Sequence, residues 1–153
     1  MRAGSTYRGN YAETLETRTQ ILYIDDEIIV RKTLSVFLER CGLSVMQAES
    51  GEEGLDKFRT HNPSLVLADL KMPGISGLDV LEKVTEESSE TPVIIISGAG
   101  MMKDVIEAIR LGAYDFITKP IDDLAILENT VKHGLEWSKL TRENREYLQE
   151  GMQ

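Results

Sequence analysis

Residues 64–77 read SLVLADLKMPGISG. Four apolar residues, Leu65 to Ala68, run into one carboxylate, Asp69, and a proline and two glycines follow within eight residues. A short apolar run without alternation reads as a strand covered on both faces. Pro73, Gly74 and Gly77 then mark a sharp loop. Such a strand delivers its terminal acid to the rim of a fold, where a ligand can reach it.

The same unit recurs on either side. QILYID (20–25) is short, apolar and ends on acids, and EIIVRKTLSVFLERCG (27–42) follows with Ile28, Leu34, Phe37 and Leu38 near helical spacing. LSVMQAE (43–49) is a second strand, and in SGEEGLDKFRTHN (50–62) Ser50 caps a helix with Glu53 as its capping-box partner. Beyond Asp69 come a helix in GLDVLEKVTEES (77–88), a strand in TPVIIIS (91–97), a helix in MMKDVIEAIRLG (101–112) and a strand in AYDFIT (113–118). A long helical pattern then runs from Ile121 nearly to the end, with Leu124, Leu127, Val131 and Leu135 suited to packing on the sheet. Fivefold strand–helix alternation predicts an α/β fold: a doubly wound, five-stranded parallel sheet with helices on both faces and an extended C-terminal helix.

In such sheets the ligand crevice lies at the carboxyl ends of the strands, where the strand order reverses. Asp25 and Asp26 end strand one, Asp69 ends strand three, Ser97 ends strand four and Lys119 follows strand five. Each has a plain alternative: Asp25 and Asp26 as helix caps, Ser97 as a cap, Lys119 as an ordinary exposed lysine. Their convergence on one edge favours a site. At ~5 Å and an effective dielectric near 20, each carboxylate pair costs roughly 3 kcal/mol, and three pairs about 10. A hard divalent cation such as Mg²⁺ relieves that repulsion and favours phosphate oxygens. Asp69 can then act as a nucleophile on phosphorus, with Lys119 neutralising charge and Ser97 donating a hydrogen bond.

Composition narrows the alternatives. A chain of 153 residues is long enough for one domain, and a net charge of −9 argues against a broad nucleic-acid or anionic-membrane surface. The single cysteine, Cys41, allows no intrachain disulfide and fits the reducing cytoplasm. With two histidines it cannot complete a zinc shell. No apolar run approaches the ~20 residues of a membrane span. Residues 1–18 read as a flexible N-terminal segment, 19–136 as the folded domain and 137–153 as a helical extension or linker.

In YIDDE, LVLADLKMPGISGLDVL, PVIIISG and AIRLGAYDFITKPID, taken in order and at this spacing, the chain resembles the receiver domain of two-component response regulators, a CheY-like family. The resemblance covers about Gln20 to Leu135. It implies a flavodoxin-like (βα)5 sandwich with strand order 2-1-3-4-5. Asp69 would accept a phosphoryl group from a phosphohistidine on a histidine kinase or phosphotransfer protein. Asp26 would ligate Mg²⁺ directly, Asp25 largely through water, and Lys71 through its backbone carbonyl; Mn²⁺ or Ca²⁺ could substitute. Ser97 and Lys119 would contact the phosphoryl group, and the bond to Pro120 would be cis. Phe116 stands where the family often has a switch tyrosine and lacks the hydroxyl. Ala99 is small and would leave a path for a hydrolytic water, which Lys71 would partly cover.

Such a domain catalyses only its own phosphorylation and dephosphorylation. It would signal through the face of helix four, strand five and helix five, a common dimer surface, or through the C-terminal helix, where Trp137, Leu140, Asn144 and Tyr147 step as a coiled-coil seam. No DNA-contacting element is legible in the tail. The rivals are a phosphorylation-independent docking module, an aspartate-nucleophile phosphatase, which wants Asp-x-Asp after strand one, and a nucleotide binder, which wants a Gly-rich loop there.

Overall fold

The computed structural model describes residues 20–98 and 102–151; the expectations for residues 1–18 and for Ala99 lie outside them. The elements are β1 (Ile21–Ile24), α1 (Ile28–Arg40), β2 (Val45–Ala48), α2 (Gly51–His61), β3 (Leu65–Asp69), α3 (Gly77–Glu87), β4 (Val93–Ser97), α4 (Met102–Arg110), β5 (Asp115–Thr118) and α5 (Leu124–Gly151). All strands are parallel, in the order β2-β1-β3-β4-β5. The predicted doubly wound sandwich is the observed one.

The strands carry two cores by alternation. Leu22, Ile24, Val66, Ala68 and Ile95 face Leu55, Phe58, Val80, Leu81, Val84 and Ala108 of α2, α3 and α4. Ile21, Tyr23, Leu65, Leu67, Ile94 and Ile96 face Leu34 and Leu38 of α1 and Leu127 and Val131 of α5. β1 and β3 are neighbours in register, Ile24 opposite Ala68, so the acids that follow them meet where the winding reverses.

Several packing details differ from the sequence reading. Ile28 is exposed, and α1 instead buries Arg31, Leu34, Ser35 and Leu38. Ser50 Oγ accepts from Glu53 N–H at 3.1 Å, but the Glu53 carboxylate accepts from Glu49 N–H, at 2.7 Å, so the reciprocal half reaches one residue further back. α3 begins with a complete capping box between Ser76 and Asp79. The last helix starts at Leu124 rather than Ile121, and it buries Leu127, Val131, Gly134 and Ser138 while Leu124 lies outside. At Gly134 a Cβ would stand 2.7 Å from Leu65 Cδ1, so a small residue lets this helix sit close on the sheet.

α5 does not stop at the domain edge. Ser138 Oγ donates to Glu90 O at 3.1 Å, and Arg145 Nη1 pairs with Glu90 Oε1 at 2.9 Å. Trp137 packs on Tyr114 with ring centroids 5.9 Å apart. The extension therefore leaves along the base of the domain, opposite the rim that holds the acids.

Candidate functional site

Asp25 is the centre of the rim and is fully buried. Its Oδ1 accepts from Glu27 N–H at 2.9 Å, which ties the carboxylate to the entry of α1. Its Oδ2 accepts from the Tyr23 hydroxyl at 2.9 Å and from Lys119 Nζ at 2.8 Å. Its backbone carbonyl accepts from Arg31 Nη1 at 2.7 Å, while Arg31 Nε donates to Gln47 Oε1 at 3.1 Å. A buried carboxylate is tolerated only when paired and hydrogen-bonded, and each of its oxygens has a donor.

Lys119 spans the acids. Beyond Asp25, its Nζ lies 3.2 Å from Glu27 Oε1 and 3.7 Å from Asp69 Oδ2. Burial opposes its charge, yet the bond to Asp25 and the charge of Asp69 outweigh that and hold its pKa above the usual lysine value. Lys119 N–H donates to Ser97 O at 2.9 Å, so β4 fixes the segment that carries the lysine. The Lys119–Pro120 bond is cis.

Asp69 ends β3 with 5% of its surface exposed. Burial pushes its carboxyl up to about 6, with Lys119 working against the rise and Asp25, Asp26 and Glu27 adding to it. The loop behind it folds back tightly. Leu70 N–H donates to Ile96 O at 3.2 Å and Gly77 N–H to Leu70 O at 2.8 Å. A Cβ on Gly77 would lie 2.2 Å from Asp69 O, so only glycine allows the turn that presents this acid.

Carboxylate oxygens of Asp25, Glu27 and Asp69 all lie within 4.8 Å of one another, a group that could hold a metal ion. This donor set is hard oxygen throughout, which suits a divalent cation. Asp26 is exposed and is not in this group; Lys71 is exposed on the loop behind Asp69. Ser97 is buried at the end of β4, and Phe116 is half-buried, packed against the core beneath α2, α3 and α4. Sequence reasoning passed over Glu27, Tyr23 and Arg31. Glu27 carried a signal, a third acid directly after Asp25 and Asp26. Tyr23 and Arg31 carried a weaker one, a hydroxyl two residues before the acid on the same strand face and a cation one helical turn into α1.

A groove of about 510 Å³ opens beside this rim, lined mainly by Ile29, Val30, Leu34, Pro120 and Ile121, with Glu27 and Lys119 at its edge. A larger cavity, about 800 Å³, lies along α5 away from the acids. No described helix is long and apolar enough to cross a membrane.

Known proteins are similar to this chain in sequence and in fold. The C4-dicarboxylate transport transcriptional regulatory protein DctD of Pseudomonas aeruginosa is 37% identical over 131 residues, covering 85% of this chain and 28% of that protein. The transcriptional regulatory protein FixJ of Azorhizobium caulinodans is 39% identical over 104 residues, covering 68% of this chain and 49% of that protein. The chain thus spans less than half the length of either relative. A crystal structure of a response regulator receiver domain protein from Clostridium thermocellum superposes with a TM-score of 0.76 at 31% identity, covering 80% of this chain and 98% of that one. The family model for the response regulator receiver domain matches residues 21–131, and with the fold and rim described above this chain belongs to that family.

Proposed function

We propose that Asp69 is a phosphoacceptor, charged by a phosphohistidine on a histidine kinase or phosphotransfer protein. The observation that carries this reading is the ammonium of Lys119 set among Asp25, Glu27 and Asp69 beside a carboxyl raised to about 6. An Asp69 oxygen attacks phosphorus, the P–O bond forms and the P–N bond breaks. The electron pair of the broken bond stays on the imidazole nitrogen, and the ring leaves neutral when its other nitrogen carries the proton. Lys119 follows the charge onto the phosphoryl oxygens, and Ser97 donates to one of them.

Mg²⁺ suits the hard oxygens grouped here: Asp69 would hold it directly, with Asp26 and the Lys71 backbone carbonyl as the further ligands the family resemblance implies, and Glu27, grouped with Asp25 and Asp69, would be a further carboxylate within reach. Asp25 has each oxygen engaged and would meet the ion through water. When bound, the ion supplies charge neutralisation between the acids and the incoming phosphoryl oxygens. The chain acts only on itself in this account and is not an enzyme on other substrates. A kinase donor places it in the cytoplasm.

Output is carried by the α4–β5–α5 face, through Ser97 and Phe116. Met102, Ile106 and Ile109 leave an apolar surface there for a second copy or a target.

The test is intact mass after incubation with phosphoramidate or acetyl phosphate and Mg²⁺. The wild type gains one phosphoryl group and Asp69→Asn gains none. No adduct from either donor favours a phosphorylation-independent docking module, and repeated turnover of phosphate esters favours a phosphatase.

A further inference from the structure

Tyr23 lies in the middle of β1, fully buried in the apolar layer under α1 and α5. Phenylalanine would fill that layer equally well. The hydroxyl is the difference, and a buried hydroxyl needs a partner. It finds Asp25 Oδ2 at 2.9 Å. The phenol is the donor of that bond, since an ionised carboxylate only accepts.

Asp25 Oδ2 is shared. Lys119 Nζ holds the same oxygen at 2.8 Å while standing 3.7 Å from Asp69 Oδ2. The resting lysine is thus bound to Asp25 rather than to the phosphoacceptor. To reach a phosphoryl group on Asp69 it must loosen that bond. Asp25 is fully buried, so any water at the vacated place would be one held by the metal ion and not free solvent. Oδ1 is already held by Glu27 N–H. The side-chain donor left on Oδ2 is Tyr23.

We propose that the Tyr23 hydroxyl is a positioning group for phosphoryl transfer: it retains Asp25 Oδ2 as Lys119 passes to the phosphoryl group. The inference rests on the phosphoacceptor reading of Asp69. In the resting state Lys119 and Tyr23 share one oxygen, and each bond is weakened by the other. In the phosphorylated state the phenol carries the side-chain share alone, so its bond strengthens. Tyr23 therefore favours the engaged state over the resting one, without touching substrate.

The test compares wild type with Tyr23→Phe for two ligands. One is Mg²⁺ alone, titrated calorimetrically. The other is beryllofluoride with saturating Mg²⁺, which adds to a carboxylate as a tetrahedral phosphoryl mimic. Tyr23→Phe is expected to weaken beryllofluoride about threefold, a fraction of one hydrogen bond to a charged group because the bond is present in both states and only strengthens on engagement, and to leave Mg²⁺ affinity nearly unchanged. Equal beryllofluoride affinities, or equal losses for both ligands, overturn the proposal; equal losses are what a merely structural role would give. The wild type gives a second readout should the variant fold poorly. The Tyr23 Cζ resonance moves downfield when beryllofluoride is added, and a stationary resonance overturns the handover. A wild type that does not take beryllofluoride at all sinks the phosphoacceptor reading, and this inference with it.

Discussion

Asp69 carries a pH dependence of known sign. Its carboxyl titrates near 6 in the folded, metal-free chain against an ordinary value of 3.8. The folded state holds that proton more tightly than the unfolded one. The associated stability is complete below the ordinary value and is lost as the pH rises through about 6. At pH 7 that difference in proton affinity amounts to roughly 3 kcal/mol of destabilisation. Asp69→Asn is therefore expected to be more stable than wild type above pH 6, with the gap closing below pH 4, in urea melts of chelator-treated protein. Lys119→Met acts in the opposite direction. It strips Asp25 of its cation and leaves a buried carboxylate, a loss of about 3 kcal/mol in the same melts. At this scale the sequence was legible where strand ends align: Asp25, Asp69, Ser97 and Lys119 all follow from counting along strands. It was less legible for Asp26 and Glu27. The chain leaves the strand after Ile24 and enters a helix at Ile28, and alternation no longer says which acid turns inward.

At the scale of the element, the loop after β3 shows how a backbone requirement builds a site. Gly77→Ala drives a methyl into Asp69 O and should cost about 3 kcal/mol, with loss of the Mg²⁺-dependent adduct. Gly42→Ala is the control. Its φ is +89° but nothing lies within 4 Å of the added carbon, so it should cost about 1 kcal/mol and leave the adduct intact. Denaturant midpoints and intact mass read both. Helix and strand existence was written in the periodicity, and helix faces were not always. Arg31 displaces Ile28 from the buried face because the bare carbonyl of Asp25 is a stronger attraction for a guanidinium than the sheet is for one isoleucine. Gly134 and Ser138 were invisible as core positions because neither is apolar enough to mark a stripe, yet one permits close approach and the other satisfies Glu90 O.

The whole molecule separates chemistry and exit. The acids lie at the carboxyl rim of the sheet, and α5 leaves along the base, held by Glu90. Ser138→Ala should cost about 1 kcal/mol because it leaves a half-buried carbonyl short of a donor. Glu90→Ala should cost less than about 1 kcal/mol, since Arg145 is half exposed. Both should speed hydrogen exchange in residues 139–151 while leaving the acid rim unchanged. Exchange mass spectrometry separates the two regions. The doubly wound parallel class was the most legible property of all, because strand and helix alternate five times; the strand order followed from the family resemblance and not from the alternation. The anchoring of the tail was not legible, because Glu90 and Arg145 are far apart in sequence and both read as surface charge.

A phosphoryl receptor centred on one acid leaves a chemical trace. Borohydride reduces an acyl phosphate to an alcohol, so wild-type protein charged with phosphoramidate and Mg²⁺, then reduced and mapped by peptide mass spectrometry, reports the acceptor directly. The expected result is homoserine at position 69, dependent on Mg²⁺. Homoserine at another carboxylate, or an unmodified Asp69 peptide after charging, would contradict it.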